Sequence, residues 1–161
     1  MIISNSSPLI NLSAINQFNL LKSLYKEIII PEAVWYEVVV KGKGQPGSQE
    51  LRSADWIKVE KVKNIPLLKS LFQSLGKGEA EAISLAIENK AELVLLDEKI
   101  ARDSAEHFGL NYIGIIGVLR EAKAKGLIRK MEKSLNDLRK IAGFWISEKF
   151  YQEILKTEGE A

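Results

Sequence analysis

The chain has 161 residues, 46% hydrophobic and 27% charged, which suits one folded domain and argues against disorder or a fibre. It has no cysteine and a single histidine, His107, so disulfides, thiol nucleophiles and cysteine- or histidine-rich metal sites are excluded. The net charge of +2 neither demands nor forbids a nucleic-acid partner. Any metal must be held mainly by oxygen ligands, which favours Mg²⁺ or Mn²⁺. No apolar run approaches the ~18–20 residues of a membrane span. The start, Met1-Ile2-Ile3-Ser4, has no basic n-region or cleavage pattern, so a cytoplasmic location away from the membrane is expected.

Short apolar runs alternate with helical patterns along the chain. Ile2 to Ser4 reads as a strand. Ser7-Pro8 reads as a helix cap followed by proline at the first helical position. Helical spacing covers Leu9 to Ala14 and Phe18 to Leu24. Ile28-Ile29-Ile30 is a β-branched strand, and Pro31 opens a helix through about Val40. Lys41 to Ser48 is a basic, glycine-rich loop. Trp56 to Val59 alternates like a short strand, and Ile65 to Leu75 is helical, ended by Gly76. A helix from Glu79 to about Asn89 leads into Leu93-Val94-Leu95-Leu96, a continuous apolar run expected of a strand covered on both faces. A helix from about Glu98 to Phe108 ends at Gly109, and Tyr112-Ile113 is a weak fifth strand. Helices over Ile116–Lys125, Met131–Ile141 and Ser147–Leu155 complete the chain. This alternation predicts a parallel α/β sheet with crossover helices in a single domain, 1–161, extended by helices over about 129–158.

In such folds ligands gather beyond the carboxyl ends of the strands. Asn5, Ser6 and Ser7 follow the first strand, and Asp97 and Glu98 follow the buried run. Glu37 and Glu79 lie on helices. At about 100° per residue, Ala82, Ile83, Ala86 and Ile87 form an apolar stripe that Glu79 extends, while Glu81 points away with Ser84 and Glu88. Taken singly, each acid has a plain structural reading: a helix-dipole partner for Glu79, a cap for Asp97, a solvent-facing residue for Glu37. Together, several carboxylates at one cleft repel one another and call for a cation. A divalent ion held this way can polarise a phosphate and activate water.

The stretches SNSSPLINL (4–12), IIIPEAVWYEVV (28–39), GKGEAEAISLA (76–86), LVLLDEKIAR (93–102), GIIGVLREAKAKGLI (114–128) and GFWISEKFYQEIL (143–155) resemble the PIN-domain nucleases. The resemblance is to a branch of small prokaryotic PIN-like proteins related to VapC-type toxins. It implies a three-layer α/β/α sandwich around a parallel sheet of about five strands in the order 3-2-1-4-5. It also implies a cluster that binds Mg²⁺ or Mn²⁺ and cuts RNA, carried over by position to Asn5, Glu37, Glu79 and Asp97 as catalytic and metal-binding residues. Ser7 matches a small hydroxyl residue beside the first acid, and Glu81 and Glu98 are secondary candidates.

One position departs from the pattern: the family expects Asp where Asn5 stands. An amide offers one neutral oxygen in place of a carboxylate, which weakens metal affinity.

Two readings follow. The first is a metal-dependent endoribonuclease, plausible as the toxin of a toxin–antitoxin pair, leaving a 3′-hydroxyl and a 5′-phosphate. Lys41, Lys43, Lys77, Lys99 and Arg102 are its candidates for neutralising RNA phosphates. Arg102 could equally pair with Asp97 or Asp103. The second is a weakened or inactive module that binds RNA or a protein, with Trp35, Tyr36, Phe144, Trp145, Phe150 and Tyr151 as an apolar surface. An antitoxin protein and a second copy of the chain are expected partners. A phosphoacceptor receiver domain is disfavoured because Asn5-Ser6-Ser7, not an acid cluster, follows the first strand. Serine acyl transfer is disfavoured because no G-x-S-x-G elbow exists.

Overall fold

The computed structural model describes residues 1–161. The β-branched and leucine-rich runs form the strands β1 (Ile2–Ser4), β2 (Ile28–Pro31), β3 (Ile57–Glu60), β4 (Leu93–Leu95) and β5 (Tyr112–Ile113). All neighbours pair in parallel, in the order β3-β2-β1-β4-β5. Ile3 lies between Ile29 and Val94, so β1 and β4 are adjacent.

The helices are α1 (Ser6–Ala14), α2 (Asn19–Tyr25), α3 (Glu32–Trp35), α4 (Ser48–Ser53), α5 (Ile65–Leu71), α6 (Lys77–Glu88), α7 (Lys99–His107), α8 (Ile115–Ala124), α9 (Glu132–Lys140) and α10 (Glu148–Thr157). None is long and apolar enough to cross a membrane.

Alternation along the strands divides the core in two. Ile28, Ile30 and Leu95 join the helices α1, α2, α4, α8, α9 and α10 on one face. Ile3, Ile29, Val94 and Leu96 meet α5, α6 and α7 on the other. The result is the α/β/α sandwich that the sequence resemblance implied. The C-terminal helices are integral to it: Met131, Leu135, Leu138, Ile154 and Leu155 belong to the larger core cluster.

Several local readings change. The first helix begins at Ser6, with Asn5 in the cap position, not at Pro8 behind a Ser7 cap. The strand ladder explains this: the Asn5 N–H still bonds the Leu95 carbonyl at 3.1 Å, so the chain turns one residue past β1. Gly76 caps the start of α6 and does not end the helix before it, and α6 begins at Lys77. The helix after Pro31 does not run regularly to Val40. Tyr36–Lys41 forms a π-helical turn, over a valine run with little intrinsic helical preference. Helix α4 follows the glycine-rich loop, anchored by the buried Leu51. Gly109 ends α7 with φ of 70°, as its position predicts.

Candidate active site

Adjacent strands β1 and β4 deliver Asn5 and Asp97 to the same end of the sheet. A cavity of about 180 Å³ there is lined by Asn5, Ser6, Ser7, Ile10, Asn11, Glu37, Glu79 and Glu98. Asn5 is buried, and Glu79 half-buried. The π-helical turn carries Glu37 to this cavity, where its Oε2 accepts a hydrogen bond from Ser6 Oγ at 2.9 Å. π-Helical turns are often found at functional sites.

Gly78 makes room for the approach of two oxygens. A Cβ at this position would stand 3.1 Å from both Asn5 Oδ1 and Glu37 Oε2. Any side chain there would press on the pair, so the absence of one leaves an oxygen-lined cradle. Gly114 serves a similar purpose beside Asp97: a Cβ there would lie 2.8 Å from Asp97 Oδ1 and would collide with the Arg102 guanidinium.

Asp97 is held on one side only. Its Oδ1 accepts from the Ile115 backbone N–H at 2.9 Å, at the positive end of α8, and from Arg102 Nη2 at 3.4 Å. Its Oδ2 is buried with no hydrogen-bond partner. Burial pushes the carboxyl above the usual aspartate range. The Ile115 N–H, the Arg102 charge and the nearby Ser7 hydroxyl oppose that rise without cancelling it. Glu98, at the mouth, is pushed up as well, first by desolvation and then by the charges of Glu79, Asp97 and Glu37.

The expected ligand set is thus distributed unevenly. Asn5, Glu37, Glu79 and Glu98 line one cavity, and Asp97, outside its lining, is coupled to it through Ser7 and the charge of Glu98. No three acids stand close enough to form a ready-made metal cage. Unneutralised carboxylates repel, and here Glu37 is held by Ser6 and Asp97 by Ile115 and Arg102. The donor set nevertheless fits a hard divalent cation: it is all oxygen, it includes the Asn5–Glu37 cradle, and it contains a buried carboxylate oxygen left without a partner.

The secondary candidates divide. Ser7 lies in the cavity and accepts from Asn11 Nδ2 at 3.2 Å. Glu81 does not point to solvent; it is buried, and its Oε1 accepts from the Ala33 N–H at 3.1 Å, capping α3 from across the fold. Among the basic candidates, Lys41, Lys43 and Lys77 are exposed. Lys99 is paired with Asp103 at 3.0 Å. Arg102 is engaged by Asp97 at 3.4 Å and by the Leu96 carbonyl at 3.0 Å. Of the aromatic candidates, Tyr151 is core, and Trp35 and Phe144 pack against the core. Tyr36, Trp145 and Phe150 are exposed.

Sequence reasoning missed Gly78, Gly114, the Ser6 bond to Glu37 and the Ile115 N–H. The two glycines stand in the quoted motifs, at 76–86 and 114–128, but what they make room for depends on tertiary contact.

With this geometry in view, comparison with known families is decisive. The family model described as PIN domain matches residues 1–160. The chain belongs to the PIN-domain family. No curated protein matches it. PIN domains are generally nucleases, and the five-stranded parallel sheet with its strand-end acids is the nuclease-like fold expected of a member.

Proposed function

We propose that this PIN domain is a metal-dependent endoribonuclease that hydrolyses RNA phosphodiester bonds using Mg²⁺ or Mn²⁺. The observation that carries the reading is the buried, unpartnered Asp97 Oδ2 beside an oxygen-lined cleft. A buried carboxylate oxygen with no partner is costly in a protein that has no use for it. Asn5, Glu37, Glu79 and Asp97 would hold the ion. Such an ion supplies the positive charge that polarises a phosphodiester and makes water a nucleophile at neutral pH. Ser6 orients Glu37, and the α8 N-terminus with Arg102 orients Asp97. Gly78 keeps the cradle open.

Asn5 favours a second reading, a module that binds RNA or protein with little catalysis, because the amide removes one charge from the ligand set. Cleavage of a mixed-sequence RNA in Mn²⁺ separates the two. The nuclease reading expects cutting by the unsubstituted chain, stronger cutting by Asn5→Asp, and none by Asp97→Ala. Cutting by Asn5→Asp alone would mean that the scaffold has lost its activity through position 5. Cutting by Asp97→Ala at the unsubstituted rate would remove this site from consideration.

A further inference from the structure

The acidic cleft adjoins a larger groove of about 590 Å³, and the two share Glu37 and Glu79. The groove contains Tyr36, Lys41 and Lys77. Tyr36 is 59% exposed, and it directly precedes Glu37 in the π-helical turn. A lone exposed aromatic residue is ordinary on a protein surface. This one lines a groove that shares Glu37 and Glu79 with the cleft and is also lined by Lys41 and Lys77. Lys41 and Lys77 enter none of the ion pairs of the structure, unlike Lys99 and Arg102.

The other polar groups of the groove narrow the ligand class. Glu32, Glu37, Glu79 and Glu81 also line it, so most of its charged lining repels phosphate but not a neutral base. Glu81 is already bonded to the Ala33 N–H. A nucleobase can therefore lie in the groove on the Tyr36 ring while the adjoining phosphates reach Lys41 and Lys77. Stacking of this kind needs the π-face of a base. A single strand offers that face, whereas a duplex hides it.

Resting on the nuclease reading, we infer that Tyr36 is the stacking platform for an unpaired base next to the scissile phosphate. Lys41 and Lys77 hold the neighbouring phosphates.

The test is fluorescence anisotropy with a labelled mixed-sequence RNA nonamer, single-stranded or annealed to its complement. Binding is measured in Mg²⁺ on full-length Asp97→Asn protein, so that cleavage does not interfere. Loss of the ring in Tyr36→Ala is expected to weaken single-strand binding about tenfold or more. Tyr36→Phe, which keeps the ring, should stay within about twofold of the parent. The duplex should bind at least about tenfold more weakly than the single strand. Removing both lysines should flatten the dependence of log affinity on log salt by roughly one to two. Unchanged binding by Tyr36→Ala, or equal binding of duplex and single strand, overturns the inference. If the unsubstituted chain still cuts RNA in Mn²⁺, the nuclease reading survives that result. If the unsubstituted chain neither binds nor cuts RNA, the nuclease reading fails and takes the inference with it.

Discussion

Two buried carboxylates, Asp97 and Glu160, differ in how completely the protein answers their charge. The Asp97 side chain is 6% exposed and that of Glu160 3%. Both accept hydrogen bonds at the N-terminal end of a helix. Glu160 receives the Met131 and Glu132 N–H groups at 2.8 and 3.0 Å, and its Oε2 also meets Lys123 Nζ at 2.8 Å. Both of its oxygens are satisfied. Burial alone would raise its carboxyl, but these bonds outweigh burial and hold it below the usual glutamate range. Asp97 has bonds to one oxygen only, and its carboxyl is pushed up. A completed set of partners marks a carboxylate that ties the chain together. An incomplete set marks one left available to something from outside.

Substitution should separate the two roles most sharply. Asp97→Asn is expected to lower Mn²⁺-dependent RNA cleavage about 100-fold or more, yet leave the melting temperature unchanged or slightly higher. The Asn side chain can still accept from Ile115 while removing a buried charge that lacks a full set of partners. A large drop in melting temperature would make Asp97 a structural residue and erase the contrast. Glu160→Gln should do the reverse. It removes the charge from three hydrogen bonds and should cost about 1–3 kcal/mol of stability, with cleavage per folded molecule unchanged. Urea denaturation alongside the cleavage assay reads both.

The contrast between these two residues was only partly legible in the sequence. The parallel sheet followed from the apolar runs, because Ile28–Ile30 and Leu93–Leu96 have no polar face to offer solvent, while its order was implied only by the resemblance to PIN domains. The strand ends then placed Asn5 and Asp97 at one cleft. The short helix Ser48–Ser53 was not legible, since Leu51 is its only large apolar residue and leaves no periodicity to read. The helical wheel set Glu81 off the apolar stripe but could not show its burial, because α6 is buried from Ala80 through Ala86 and no side of that stretch faces water. Glu88, on the same side of the wheel as Glu81, accepts from the Lys63 and Asn64 backbone N–H groups. The state of Asp97 was hidden for a related reason: the Ile115 N–H and the space at Gly114 come from a separate segment of chain.

A smaller effect should come from the metal itself. Mn²⁺ at ten times its dissociation constant should stabilise the folded chain by about 1.4 kcal/mol. Asn5→Asp should reach the same shift at lower Mn²⁺, and Asp97→Asn should need far more. Glu160→Gln should shift like the parent, since its carboxylate is far from answering to any added cation. Differential scanning fluorimetry across a Mn²⁺ series measures this. An equal shift in all four proteins would point to nonspecific binding and leave the cleft without its cation.

The least expected effect is in the pH dependence, where the two carboxylates pull in opposite directions. Glu160 has a lowered folded-state pKa, so the unfolded chain binds more protons in the window below the usual glutamate value. Its contribution to stability is complete above that value, near pH 4, and is lost as pH falls through the lowered one. Asp97 has a raised folded-state pKa, so the folded chain binds more protons. Its burden is absent below the usual aspartate value and grows as pH rises from about 4 through the raised one. Glu98 adds a burden of the same sign. In EDTA, unfolding free energy plotted against pH should therefore lose part of its acid-side fall in Glu160→Gln. It should lose part of its decline above pH 4 in Asp97→Asn, with the remainder due to Glu98. The same flattening in both variants would mean that the two carboxylates are satisfied alike, and the distinction between a tie and an open site would fail.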